Sequence, residues 1–325
     1  MLHSIRLRGQ NSMNEVDASQ VLHRAISTQG NQSGVCYLNN PKFRYLTKEQ
    51  AETCIRLTYS TFEEVPLVRD KLSEILMGVK APITLVDLGC GDGRKAAQFI
   101  YRADQVGYPI NRYLAIDVNS HMVETAVSTV ASSSNLRRED CSFICAPFEE
   151  LTADSFTQYR LENPGSLIYI FFGNLFHTFE EDGIVHLLEQ MLRPHEKLLI
   201  GSQCKRTSDE SEVQETIAKL EAWDYSYLQH IGRLLGLSDD NMHKIVTYNS
   251  VMHCMEVGFE IDHPSPSMVA MGIADVHRIV MLRVYMRTLK EICELFSPYF
   301  NVTPFPNRDA TEAVLLCERL AVPRI

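Results

Sequence analysis

Short apolar runs alternate with amphipathic segments along residues 81–203. Five of these runs predict buried strands: Ile83 to Leu88, Tyr113 to Val118, Ser142 to Phe148, Leu167 to Phe172 and Lys197 to Gly201. Between them, apolar residues recur at helical spacing and predict the helices Arg94 to Tyr101, Met122 to Val130 and Gly183 to Leu192. Strands that alternate with helices imply right-handed crossovers and a parallel sheet.

The segments that flank this alternation have a different pattern. Before it, Thr47 is predicted to cap a helix from Lys48 to Thr58, and Pro66 to open a helix from Leu67 to Met77. After it come two long amphipathic helices and two short strands, predicted as Ser211 to Leu237, Met242 to Val257, Phe259 to Asp262 and His277 to Tyr285. A helix from Met286 to Phe296 and two closely spaced strands, Phe300 to Phe305 and Ala313 to Glu318, then resume the first pattern.

The fold class predicted from these patterns is α/β, with a doubly wound, mostly parallel sheet of seven strands and a mainly helical second domain or lid. Four parts follow: a flexible leader (1–18), an N-terminal helical segment that contributes to the lid (19–80), the sheet domain (81–203 and 285–325), and an inserted, substrate-covering domain (204–284).

The charge balance narrows the classes of partner. The chain has 325 residues, with 41 acidic and 31 basic side chains and a formal net charge of -10. Nucleic acids and anionic membranes require clustered basic residues, so neither is expected as a partner. The nine cysteines are an odd number, and only Cys141 and Cys145 lie close in sequence, which favours reduced thiols in a cytoplasmic protein without a metal site.

A glycine-rich loop follows the first predicted strand and carries the strongest functional signal. It reads Asp87-Leu88-Gly89-Cys90-Gly91-Asp92-Gly93 and is followed directly by a predicted helix. Glycines allow a tight turn and a close approach of ligand to backbone, and the helix start presents free N–H groups. The G-x-G-x-G spacing, with an acid two residues before the first glycine, resembles the signature of class I, Rossmann-like methyltransferases. This resemblance implies S-adenosylmethionine as the cofactor.

The neighbouring strand ends supply the other predicted cofactor contacts. Asp117, followed by Val118 and Asn119, ends the second strand, where an acid can accept hydrogen bonds from both ribose hydroxyls. Lys95 begins the helix after the loop and is expected to neutralise the cofactor carboxylate. Further contacts are predicted after the third and fourth strands, at Phe148, Glu149 and Gly173. A dinucleotide cofactor, which the spacing G-x-G-x-x-G would favour, is the alternative.

Three stretches resemble the histidine-specific methyltransferase family of the ergothioneine pathway. Residues 64–76 are similar to the helix that precedes the first strand in that family, and Arg94-Lys95 extends the similarity of the loop. Phe172-Gly173-Asn174 is similar to the turn whose Asn binds the amino-acid substrate. The resemblance implies a small acceptor with an amine group. Val280 stands where the family has an acid that reads the substrate, which favours an acceptor other than histidine.

Two residues are candidates for the catalytic site, and three functions remain open. Asn174 is expected to orient the acceptor through its amide, and His177 is a candidate general base. The favoured hypothesis is transfer of a methyl group to the amine of a small, amino-acid-like acceptor. An O-methyltransferase that uses His177 as base is one alternative, and a non-catalytic cofactor-binding protein is another. The amphipathic helices of the insertion leave a homodimer open.

Overall fold

The structure is a computed structural model that describes residues 15–28, 34–38, 47–58, 64–147, 150–162, 165–173, 175–179, 181–194, 196–206, 210–222 and 224–322. The strands in these ranges are β1 (Val35–Tyr37), β2 (Ile83–Leu88), β3 (Ile110–Asp117), β4 (Cys141–Cys145), β5 (Ser166–Phe171), β6 (Lys197–Gln203), β7 (Met242–Asn249), β8 (Cys254–Ile261), β9 (Arg278–Tyr285), β10 (Phe300–Pro306) and β11 (Glu312–Arg319). The α-helices are α1 (Glu15–Thr28), α2 (Lys48–Thr58), α3 (Glu64–Val68), α4 (Leu72–Ile75), α5 (Arg94–Gln105), α6 (Ser120–Ser133), α7 (Thr157–Glu162), α8 (Glu181–Met191), α9 (Glu210–Ala222), α10 (Ser226–Leu234), α11 (Pro266–Ala270) and α12 (Leu289–Phe296).

Seven strands form the larger sheet, in the spatial order β10-β11-β6-β5-β2-β3-β4. Strand β11 runs antiparallel to both of its neighbours, and the other neighbouring pairs are parallel. The predicted doubly wound, mostly parallel sheet of seven strands is therefore confirmed. The chain adds β3 and β4 on one side of β2 and then β5 and β6 on the other, so the strand order reverses between β2 and β5. In such sheets, ligands bind outside the carboxyl ends of the strands at this reversal.

Successive residues of the central strand face two separate cores. Every residue of β2 is buried, as expected for a parallel strand covered on both sides. Leu85 faces the core formed with α3 to α6, whereas Val86 faces the core formed with α7, α8 and α12. Burial on both faces holds the ends of β2 and β5 in place, and this rigid edge carries the loop that follows β2.

A second sheet of four strands, in the order β1-β9-β8-β7, lies in the N-terminal segment and the insertion. The predicted helix from Met242 to Val257 is wrong, because this stretch forms the antiparallel hairpin of β7 and β8. Its β-branched and aromatic residues fit a pleated surface and outweigh the helical spacing of its apolar residues. The sheet packs on α1 and α10 through a third core. The second domain is therefore mixed rather than mainly helical.

The N-terminal segment and the long helix of the insertion also differ from prediction. Helix α1 begins at Glu15 and fully buries Ala18, so residues 15–18 are helical and not part of the predicted flexible leader. Residues 1–14 lie outside the described residues. The helix predicted from Ser211 to Leu237 is divided into α9 and α10, and the N–H of Ser226, the first residue of α10, donates a hydrogen bond to the side chain of Asp224 (2.8 Å). No helix in the described ranges is long and apolar enough to cross a bilayer.

Candidate cofactor and active site

The glycine-rich loop lies at the carboxyl end of β2, at the reversal of strand order. Gly89, Gly91 and Gly93 have positive φ angles of 69°, 53° and 78°, a conformation that other residues adopt at a cost. Two backbone N–H groups of the loop donate to the carbonyl oxygen of Ile116 at 2.9 and 3.0 Å, which ties the loop to β3. A Cβ at Gly93 would lie 2.6 Å from the carbonyl oxygen of Ala126. The loop therefore requires glycine both for its backbone conformation and for its contact with α6.

Two side chains of the loop are used to shape it. Asp92 is 7% exposed, accepts a hydrogen bond from the N–H of Arg94 (3.1 Å) and pairs with its guanidinium (2.5 Å). Cys90 is buried in the core, and burial raises the pKa of its thiol well above the ordinary value. The side chains of Asp92 and Cys90 are therefore already used within the protein, and the cofactor contacts predicted for these residues, which stay predictions, would be made by their backbone groups.

Asp87 supports the loop from within the sheet. It is 5% exposed and accepts a hydrogen bond from the hydroxyl of Tyr113 on the adjacent strand (2.8 Å). Burial raises the pKa of Asp87 to about 7, and the hydrogen bond from Tyr113 opposes part of that rise. The side chain is therefore close to half-ionised near neutral pH, in a position that braces β2 against β3.

Asp117 ends β3 and faces the same edge of the sheet. Burial raises its pKa to about 6, while hydrogen bonds from the backbone N–H groups of Asn119, Gly91 and Val118 favour the ionised form. The bond from Asn119 measures 3.1 Å. The carboxylate is mostly ionised at neutral pH, and its place at the strand end is the one expected of a group that accepts hydrogen bonds from ribose hydroxyls.

Asn119 connects this strand end to the N-terminal helices. Its side-chain oxygen caps α6 by accepting from the N–H groups of His121 and Met122 at 2.9 and 3.3 Å. Its amide donates to the carbonyl oxygen of Thr47 (3.4 Å), just before α2. The hydroxyl of Thr47 lies 3.3 Å from Nε2 of His230 in α10. The start of α2 thus lies between the predicted ribose site and the insertion.

Lys95 and Gly173, two predicted cofactor contacts, are joined by a residue that the sequence did not single out. Glu64, in α3, is fully buried. Its carboxylate accepts a hydrogen bond from the N–H of Gly173 (2.5 Å) and lies 2.8 Å from Nζ of Lys95. Three elements, α3, α5 and the turn after β5, therefore meet at one carboxylate. In the sequence Glu64 looks like any acid in the first turn of a helix.

His177 lies beneath the turn after β5 rather than in an open crevice. The ring is 2% exposed, with Nδ1 2.7 Å from the carbonyl oxygen of Tyr285 and Nε2 2.7 Å from the hydroxyl of Ser202. Burial and, to a smaller extent, the nearby positive charge of Arg287 lower the pKa of His177 to about 4. Both nitrogens are engaged, which favours a structural histidine over the predicted general base.

Three predicted site residues cannot be placed. Asn174, Phe148 and Glu149 lie outside the described residues, and their roles stay predictions.

Val280 is fully buried in β9, where it pairs with Tyr37 on one side and Gly258 on the other. No carboxylate therefore occupies this strand position.

The described groups fit the predicted cofactor. The three loop glycines adopt positive φ angles, Gly93 precedes α5 without a side-chain cap, and an acid ends the next strand. Together with the strand order of the sheet, this arrangement is that of a class I, S-adenosylmethionine-binding fold.

Comparison with known proteins identifies the family. The model of the SAM-dependent, histidine-specific methyltransferase family matches residues 54–273, which is more than half of the chain. The chain therefore belongs to this family, and the resemblance inferred from residues 64–76, the loop and the turn after β5 is confirmed. The S-adenosylmethionine dependence predicted from the loop agrees with the description of the family.

Individual relatives are more distant. Ergothioneine biosynthesis protein 1 of Schizosaccharomyces pombe is 24% identical over 135 residues, which are 41% of this chain and 17% of that protein. The CcbJ methyltransferase of Streptomyces caelestis is 11% identical, with 78% of this chain and 96% of that chain covered, at a TM-score of 0.42. The N-methyltransferase NodS of Bradyrhizobium japonicum WM9, in complex with S-adenosyl-L-homocysteine, is 10% identical, with 83% and 96% covered, at a TM-score of 0.38. These scores add nothing to the fold assignment, which rests on the strand order.

Proposed function

We propose that this protein transfers a methyl group from S-adenosylmethionine to the amine of a small, amino-acid-like acceptor. Family membership supports the donor and the reaction class. The donor site would be formed by the backbone of the glycine loop, by Asp117 at the ribose and by Lys95 at the carboxylate. Bound there, the cofactor would supply a methyl group on a positively charged sulfur; the lone pair of the acceptor would take the methyl carbon as the carbon–sulfur bond breaks, and S-adenosylhomocysteine would leave.

The state of His177 is the observation that favours an amine over a hydroxyl acceptor. A hydroxyl group needs a base to remove its proton, whereas the neutral form of an amine already carries a lone pair. His177 has no nitrogen left for that task, because Tyr285 and Ser202 engage both. For an amine, catalysis then consists mainly of holding nitrogen and methyl group in line. Asn174 is the residue we expect to hold the acceptor.

The acceptor belongs to the class of amino-acid-like molecules but is proposed not to be histidine. The description of the family and the name of the relative from Schizosaccharomyces pombe support an amino-acid-like acceptor. Val280 opposes histidine itself, because an apolar side chain cannot accept a hydrogen bond from an imidazole N–H. We therefore propose an acceptor whose side chain needs no hydrogen bond from this position of β9.

Binding of S-adenosylhomocysteine, measured by calorimetry, tests the donor site. We expect the wild-type protein to bind it, and Asp117→Ala to bind it at least about tenfold more weakly, because hydrogen bonds to a charged group are lost. Asp104→Ala is the matched control, since Asp104 is an exposed acid near the far end of α5. If the wild-type protein shows no heat of binding, the proposed function is wrong.

Methyl transfer to a panel of amino-acid amines and of their hydroxyl analogues tests the acceptor class. We expect transfer to an amine, with turnover largely retained in His177→Gln as long as the variant is folded. Transfer to hydroxyl analogues alone, abolished in His177→Gln, would instead establish the O-methyltransferase alternative. Cofactor binding without transfer to either set would point to the non-catalytic alternative.

A further inference from the structure

Glu64 is an acid whose complete burial needs an explanation. Its side chain has no exposed surface, although an isolated buried carboxylate is strongly unfavourable. It belongs to helix α3, which packs near α5 and β11. The residue nevertheless reaches the edge of the sheet where the cofactor loop lies.

The hydrogen bonds of Glu64 lead to two groups of the predicted donor site, Lys95 and Gly173. The carboxylate lies 2.8 Å from Nζ of Lys95 through one oxygen and accepts a hydrogen bond from that group through the other (3.1 Å). This second oxygen also accepts from the N–H of Gly173 (2.5 Å). The side chain of Lys95 is 19% exposed and that of Glu64 is not exposed, so the pair meets solvent only on the lysine side.

The strand beneath Glu64 leaves room for its side chain. A Cβ at Gly201, in β6, would lie 2.4 Å from Cγ and 2.6 Å from Oε1 of Glu64. Glycine weakens a strand interior and often marks a site where another group approaches closely. Here the group that approaches is the carboxylate. The position of Glu64 therefore depends on Gly201 as well as on its two polar partners.

We propose that Glu64 is a positioning residue of the cofactor site, which holds the ammonium of Lys95 and the turn at Gly173 in the arrangement that binds the carboxylate end of the donor. The proposal rests on the proposed function. A lysine has a long, flexible stem, and a buried carboxylate at its tip removes most of that freedom before the cofactor arrives.

A double-mutant cycle tests whether Glu64 acts through Lys95. The variants are Glu64→Gln, Lys95→Met and their combination, and the measurements are the affinity for S-adenosylhomocysteine by calorimetry and the melting temperature. We expect each single variant to bind about tenfold more weakly, the usual order for loss of a charged hydrogen bond. The combined variant is expected to bind no more weakly than Lys95→Met, since residues that act through one interaction are not additive. Lys95→Met should also have the lowest melting temperature, because it leaves Glu64 buried without its cation.

Gly201→Ala tests the same arrangement without removing a charge. The added methyl group displaces the carboxylate from Lys95, so affinity is expected to fall as in Glu64→Gln. This variant decides the matter if Glu64→Gln does not fold. The matched controls are Glu74→Gln, which removes the exposed partner of Lys71, and Gly183→Ala, whose Cβ would meet nothing within 4 Å. Both controls should bind like wild type.

Three results have distinct meanings. A lower melting temperature with unchanged affinity in Glu64→Gln or Gly201→Ala would make Glu64 merely structural and overturn the inference. Additive losses in the combined variant would show that Glu64 does not act through Lys95, and would overturn it too. Failure of the wild-type protein to bind would instead overturn the proposed function on which the inference rests.

Discussion

The buried carboxyl group of Asp87 predicts an unusual dependence of stability on pH. Burial raises its pKa in the folded protein from 3.8 to about 7, so the folded state binds the proton more tightly than the unfolded state. Stability is therefore lost as the pH rises from about 4 to about 7. Replacement of Asp87 by Asn removes the ionisation and leaves an oxygen that can accept the hydrogen bond from Tyr113.

The size of the effect follows from the pKa difference. Its full range corresponds to about 4 kcal/mol, at about 1.4 kcal/mol for each pKa unit. Between about pH 5.5 and about pH 8 the unfolded state is already ionised while the folded state keeps its proton up to about pH 7, so about 2 kcal/mol is lost in that interval. The new amide of Asn adds a cost that does not vary with pH. The informative quantity is therefore how the difference in unfolding free energy between wild type and variant changes with pH.

Urea unfolding of wild type and Asp87→Asn at these two pH values measures that change. We expect the stability of the variant relative to wild type to rise by about 2 kcal/mol on going to about pH 8. Titrating groups that do not interact with Asp87 contribute equally to both proteins and cancel. Asp70→Asn is the matched control, because its side chain is 87% exposed, and its difference from wild type should stay constant. A constant difference for Asp87→Asn as well would refute the assignment of a raised pKa to this residue.

Two further substitutions test neighbouring parts of the site. The pKa of His177 is lowered from 6.5 to about 4, so the protein loses stability as the pH falls below about 6.5, by about 3 kcal/mol in full. Acid unfolding curves of His177→Gln should lack this loss, and an acid sensitivity equal to that of wild type would contradict the reasoning. Gly93→Ala would place a Cβ on a residue with a φ of 78°, 2.6 Å from the carbonyl oxygen of Ala126. We expect a stability loss of about 1–3 kcal/mol and weaker binding of S-adenosylhomocysteine. Affinity and stability equal to those of wild type would show that the loop tolerates a side chain there.

The sheet domain could be predicted from the sequence because burial on two faces leaves a clear pattern. Strand β2 has the predicted bounds, since an apolar run between two helix-like segments has few other interpretations. The site elements that depend on this order, the loop and Asp117, lie at the predicted edge for the same reason. Positions defined by one strand end and the next residue require no knowledge of distant contacts.

The second sheet could not be predicted because its strands depend on partners far along the chain. Strand β1 has only three residues and pairs with β9, more than 240 positions later. In the β7–β8 hairpin, apolar residues are spaced in a way that fits a helix as well as a strand, and periodicity alone does not separate the two. The pairing partners decide, and they are not visible locally. His177 is a related case: the sequence places it near the site, whereas Ser202 and Tyr285 engage both its nitrogens.

Glu64 shows what kind of signal the sequence does hold for such a contact. Nothing in α3 separates this acid from an exposed one, and Lys95 lies 31 positions away. The informative residue is Gly201. The sequence predicts a strand that ends at Gly201, yet β6 continues to Gln203. The glycine therefore lies inside a buried strand, where it weakens the packing. Such a glycine implies that another group needs the space. Gly201 lies near the carboxyl end of β6, and the group it admits is a carboxylate paired with Lys95, which is the contact on which the proposed positioning role of Glu64 rests.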